Sequence, residues 1–131
     1  MTEAGVFRNK DHARQLRSFR GLVYESISPT DIDGCIEYKN KLFIWIESKY
    51  GNAKLPFGQR LAFERINDAI EESGKPSIFL LARHKSDEDI DLAQSIVSEY
   101  RYQRHWHFPE KEITVREASD IFIQKILGRE R

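Results

Sequence analysis

Asp33 and, fourteen positions on, Glu47-Ser48-Lys49 are the residues of this chain whose types and spacing could do chemistry. They frame a short hairpin. Asp33 to Tyr38 and Leu42 to Tyr50 read as two strands joined by Lys39-Asn40-Lys41, where Asn40 can take positive φ in a tight turn. With the turn centred near Asn40, position 33 falls opposite position 47, and cross-strand neighbours lie about 5 Å apart. Strand alternation puts Phe43, Trp45, Glu47 and Lys49 on one face and Ile44, Ile46 and Ser48 on the other. Both faces are apolar as far as Ile46, so the strand is expected to be buried, and a charged pair at its end is costly unless used or paired.

Two carboxylates this close repel, and a hard divalent cation between them removes the repulsion. Mg²⁺ typically takes one or two protein carboxylates and completes its shell with water and substrate phosphate oxygens. Lys49, on the same face as Glu47, could then position or deprotonate an attacking water and offset charge on a phosphorane-like transition state. Metal-assisted hydrolysis of a phosphodiester uses those parts. The same residues also admit a plainer reading, a Glu47–Lys49 surface pair beside an unrelated turn aspartate, because Glu-x-Lys is a common tripeptide.

The rest of the chain bounds these readings. Its 131 residues fit one domain large enough to bury its own core. Lys plus Arg and Asp plus Glu are equal at 21 each, so no overall positive field draws the chain to nucleic acid, and any such contact requires a local patch. Cys35 is the single cysteine, which excludes an internal disulfide and any zinc site with two Cys ligands. With no signal peptide and no apolar run long enough to span a bilayer, a cytoplasmic location without membrane contact is expected.

The elements that must position the hairpin follow from periodicity. Phe7, Ala13, Leu16, Phe19 and Val23 suggest a first helix over residues 9 to 20, ended by Gly21, with basic residues on its solvated or phosphate-facing side. Leu22 to Ser28 reads as an extended lead-in, and Pro29 turns the chain towards the acids. After a loop holding Lys54 and Pro56, Gln59 opens a helix with Leu61, Ala62, Ile66, Ala69 and Ile70 inward, stopped by Gly74 and Pro76. Ser77 to Ala82 is apolar after its first residue, as in a central strand buried on both faces, and strand, helix, strand in this order predicts a mixed sheet. The acidic run from Ser86 to Asp91 lacks EF-hand spacing and reads as a loop. Tyr100, Tyr102, Trp106 and Phe108 alternate with Arg101, Gln103, His105 and His107, predicting one strand with an aromatic and a basic face. Arg101, Arg104 and His105, with Lys54, are the candidate phosphate contacts, although edge strands often look this way without a ligand. Thr114-Val115-Arg116-Glu117 has capping-box spacing and starts a last helix with Ile121, Phe122, Ile126 and Leu127 inward and Gly128 closing it.

Asp33, then Glu47-Ser48-Lys49 at the end of an apolar strand, then a helix entered through Gly58-Gln59, resembles the PD-(D/E)xK nuclease superfamily. Within it, the layout looks like the small Holliday-junction-resolvase-like and phage nuclease branches. The resemblance covers residues 8 to 82 and implies a restriction-endonuclease-like α/β core, with the strand and helix of residues 95 to 128 completing a single domain over 1 to 131. It further implies Asp33 and Glu47 as ligands of Mg²⁺ or Mn²⁺, the Ser48 carbonyl as another ligand, Lys49 as the catalytic lysine and Gln59 as a glutamine near the site. An acid from the first part of the fold often joins such sites, and Glu25 is the nearest before the motif. Asp31 competes with Asp33 for the ligand role. Asp33 is preferred because its register faces Glu47 and because Gly34 would let backbone and metal come close.

The activity so implied is hydrolysis of DNA by a divalent-metal-dependent, structure-selective nuclease without an organic cofactor. A homodimer would set two sites against two strands. With no recognisable sequence-reading module, specificity would come from DNA shape or a partner. A non-catalytic DNA-binding or assembly protein that kept the fold, and an RNA-processing nuclease, are the alternatives.

Overall fold

The computed structural model describes residues 18–85 and 88–129. The chain divides into two compact units, residues 1–30 and 31–131. In the second, five strands form one mixed sheet in the order β1 (Gly34–Tyr38), β2 (Leu42–Tyr50), β3 (Ser77–His84), β4 (Ile96–Tyr102) and β5 (His105–His107). Helix α1 (Phe57–Glu72) links β2 to β3, and α2 (Val115–Arg129) follows β5. Only β2 and β3 run parallel, because the α1 crossover returns the chain to the same end of the sheet; every other pair is antiparallel. The α/β class and the mixed sheet between helices match expectation.

Local chemistry explains most boundaries. Lys39 and Asn40 both have positive φ, 50° and 61°, which gives the β1–β2 hairpin the turn twist that antiparallel strands favour. The resulting register pairs Gly34 with Ile46, so the next position out places Asp33 against Glu47. Gly74, at φ 97°, supplies the left-handed residue just beyond α1, where other residues would be strained. At the start of α2 the Glu117 amide donates to Thr114 Oγ1 at 3.1 Å, and Glu117 Oε1 accepts from the Thr114 amide at 3.0 Å. This is the expected capping box, and hydrogen bonds to the carboxyl from Thr114, from its amide first and then from its side chain, hold Glu117 below its ordinary range.

The sheet has two unlike faces. One packs Leu42, Ile44, Ile46, Ile78, Leu80, Ala82 and Val97 against Val115, Phe122 and Ile126 of α2, forming the main core. On the other face Phe63 of α1 stacks on Phe79 at 4.3 Å, both fully buried. The first six residues of β3 are buried, as its near-unbroken apolar run requires.

Several expectations change. The predicted helix over residues 9 to 20 lies outside the described residues except for its last three, and Arg20–Leu22 forms a 3-10 turn running through Gly21. The stretch from Leu22 to Ser28 does not stay extended: Tyr24 and Ile27 exchange backbone hydrogen bonds of 2.8 and 2.9 Å around Glu25, whose φ is 61°. Residues 100–108 are not one strand. Gln103 and Arg104 adopt φ of 51° and 72° and reverse the chain, pairing Tyr100 with His107 and Arg101 with Trp106. Neither residue is the Gly, Asn or Asp that normally marks such a turn, so alternation alone could not locate it. Helix α2 continues through Gly128 to Arg129, and Ile121 is 57 % exposed while Phe122 and Ile126 carry the packing.

Candidate active site at the end of strand β2

Glu47 is the hub of the site. It lies on the α1 side of β2 with 5 % of its surface exposed, a costly place for a carboxylate without partners. Its Oε1 accepts from the Asp33 amide at 3.1 Å, and Asp33 Oδ2 accepts from the Ser48 amide at 2.8 Å. The two hairpin strands are thus clasped reciprocally, each lending a carboxylate to the other's backbone. Lys49, two residues on and therefore on the same face, brings Nζ to 3.2 Å from Glu47 Oε2. Gln59, in the first turn of α1, donates from Nε2 to the same oxygen at 3.3 Å and to the Asp31 carbonyl at 3.4 Å. Three expected residues, Asp33, Lys49 and Gln59, therefore converge on the carboxylate of a fourth, Glu47.

Burial first, and then the adjacent Asp33 charge, push the Glu47 carboxyl above its ordinary range, while Lys49 and the Asp33 amide pull the other way. The upward pressure prevails, so the site favours added positive charge. Two carboxylates at a strand end are hard oxygen donors, and they number what Mg²⁺ usually takes from protein. The donor set fits such a cation. Among the described residues no three His, Cys, Asp or Glu side chains form a metal-holding group, so water and substrate would have to complete the shell.

The two candidate acids present different groups. The Asp33 carboxylate meets β2, whereas Asp31 reaches the site through its backbone carbonyl. At Gly34 a methyl group would touch Leu92 and Ile46 at ordinary contact distances of 3.5 and 3.9 Å. Glu25 sits in a tight turn of the first unit. Ser48 buries its side chain on the opposite face of β2. Lys54 is exposed in the β2–α1 loop, which Arg83 anchors by a hydrogen bond to the Ala53 carbonyl.

The expected basic surface is built differently. Arg101 forms a two-pronged bond with Asp68 of α1, at 3.1 Å from Nε to Oδ1 and 2.7 Å from Nη2 to Oδ2. Arg104 lies over Glu71 and Glu72 at 3.6 and 3.8 Å. Both cations clamp α1 to the β4–β5 hairpin, leaving exposed His105 as the remaining member of that trio. Sequence reading missed Arg60, which follows Gln59, stacks its guanidinium 4.2 Å from the Trp106 ring centre and grips Glu99 at 2.8 Å. Its anchorage fixes the helix turn that carries Gln59. No local signal pairs residues so far apart in sequence.

No protein-family model, curated protein or solved structure matches the chain. Fold and site therefore define the class on their own: an α/β protein with a mixed five-stranded sheet and an acid–acid–lysine–glutamine cluster at the end of its second strand.

Proposed function

We propose that the chain is a divalent-metal-dependent nuclease of restriction-endonuclease-like fold that hydrolyses DNA phosphodiesters and selects branched or junction-like substrates. The observation that carries this reading is the convergence of Asp33, Lys49 and Gln59 on the buried Glu47 carboxylate. Asp33 and Glu47 would hold Mg²⁺ or Mn²⁺, which when bound neutralises charge on the scissile phosphate. Asp33 and the Ser48 amide keep the two strands in register. Gln59 holds Glu47 Oε2 from the helix side and limits its rotation. Lys49 gives up its ion pair to orient the attacking water and to set its ammonium against the developing charge. A homodimer would present two such sites to two strands of a junction.

The Lys49–Glu47 pair at 3.2 Å also favours a second reading, a DNA-binding or assembly protein in which that lysine simply neutralises a buried acid. A panel of single-stranded, duplex, flap and four-way-junction DNA, with matched RNA, incubated with Mg²⁺ or Mn²⁺ alongside Lys49→Ala, separates the two. Cleavage that vanishes in the mutant supports the nuclease. Binding without cleavage by the wild type on every substrate supports the second reading.

A further inference from the structure

Behind Glu47 and Lys49, on the opposite face of β2, lies a polar group that core packing does not require. Ser48 separates the two charged residues in sequence, so strand alternation turns its side chain towards the α2 layer. Its neighbours on that face, Ile44 and Ile46, are buried, and a hydroxyl among them is costly unless bonded. Ser48 Oγ lies 2.8 Å from His84 Nδ1 at the end of β3 and 2.9 Å from Ser95 Oγ, just before β4. Only 7 % of Ser48 and 3 % of Ser95 are exposed. Ser95 is itself tied to two more elements: its amide donates to the Leu92 carbonyl at 3.2 Å, and its carbonyl accepts from the Val115 amide opening α2 at 2.9 Å. The Ser48 amide meanwhile donates to Asp33 Oδ2 at 2.8 Å. One residue thus holds a site carboxylate through its backbone and the far layer of the fold through its side chain.

We propose that Ser48, Ser95 and His84 form a positioning relay that holds Asp33, Glu47 and Lys49 in register against the α2 layer. Its consequence for cleavage rests on the nuclease reading. The three are positioning residues, acting on the site through strand β2. Either histidine tautomer satisfies the relay. With Nδ1 as acceptor, Ser48 donates to His84 and accepts from Ser95; with Nδ1 protonated, His84 donates to Ser48 and Ser48 donates to Ser95. The relay therefore does not depend on His84 changing charge. Deleting the Ser48 hydroxyl leaves the buried Ser95 hydroxyl and a ring nitrogen of half-buried His84 without that partner and unpins the strand that carries the site. A displacement of about 1 Å can cost about 100-fold in rate.

The test compares wild type with Ser48→Ala, Ser95→Ala, His84→Ala and the conservative His84→Asn, whose carboxamide can replace the imidazole bond. Three quantities are read: kcat and KM on the DNA that the wild type cuts, the midpoint of a Mg²⁺ titration, and amide hydrogen exchange in chelator at positions 33 and 48. The alanine variants should lower kcat about tenfold or more, leave KM within about twofold and raise the Mg²⁺ midpoint. They should also speed exchange at the two clasp amides about tenfold while leaving Leu80, at the sheet centre, unchanged. His84→Asn should recover most of the His84→Ala loss. Unchanged clasp exchange in both serine variants overturns the relay, as does acceleration at Leu80 equal to that at the clasp, which would mark general destabilisation. If the wild type cuts no nucleic acid while clasp exchange responds as expected, the relay stands and the nuclease reading falls. If the wild type cuts and clasp exchange does not respond, the relay falls alone.

Discussion

Two charged regions border α1, and they have been resolved in opposite ways. Along β4 and the β4–β5 turn, Arg101 meets Asp68, and Arg104 meets Glu71 and Glu72, so each cation has an anion from the facing helix. At the end of β2, a 5 % exposed glutamate has an aspartate beside it and one lysine between the two carboxyls and neutrality. Charges neutralised in place hold elements together. Charges whose cost is left open invite a ligand, which is why the cluster that looks least stable is the candidate site and the strongly basic sequence is scaffold.

The largest effect that could break this contrast is at Lys49. Lys49→Ala should reduce cleavage by about 10²- to 10⁴-fold with the fold retained, measured on the most readily cut DNA beside a far-UV spectrum. Undiminished cleavage would make the β2 cluster another structural pair.

Glu47→Gln should also remove cleavage, yet stabilise the metal-free protein at neutral pH. The sign follows from the upward push on the Glu47 carboxyl. A folded-state value above the unfolded one contributes stability that is complete below the ordinary glutamate pKa of about 4.3 and is lost as pH rises through the raised value. Thermal unfolding in chelator should accordingly show the wild type losing stability over that window, Glu47→Gln lacking the loss, and Mg²⁺ restoring it in the wild type alone. A Glu47→Gln melting point below wild type at pH 7 would show that the carboxylate is satisfied without a ligand.

Arg101→Ala tests the other region. Leaving Asp68 without its two-pronged partner should cost about 1–3 kcal/mol in urea unfolding while the DNA affinity of the folded protein stays constant. A loss of DNA affinity without a loss of stability would return Arg101 to the nucleic-acid surface. The smallest effect sharpens the scale: Thr114→Ala, which removes one arm of the capping box far from the cluster, should cost about 1 kcal/mol and leave cleavage per folded molecule unchanged.

How much of this is legible in the sequence depends on how local the determining interaction is. The hairpin register, the Gly74 cap and the Thr114–Glu117 box are each written within a few residues, and each is found where expected. The turn at Gln103-Arg104 was hidden because positive φ at Gln and Arg has no sequence signature and the alternation of aromatics runs straight through it. Ile121 misled for a related reason: the α2 stripe is narrow, and Phe122 and Ile126 suffice to fill it.

By itself the sequence determined that Asp33 would face Glu47 and that Lys49 would share the Glu47 side, because a two-residue period and a tight turn leave little freedom of register. Only the tertiary structure decided which charges were neutralised. Asp68 lies 33 positions from Arg101, Gln59 lies 12 from Glu47, and Ser95 lies 47 from Ser48. Whether a buried charge or hydroxyl is paid for depends on partners brought in by distant elements, and no pattern along the chain carries that information.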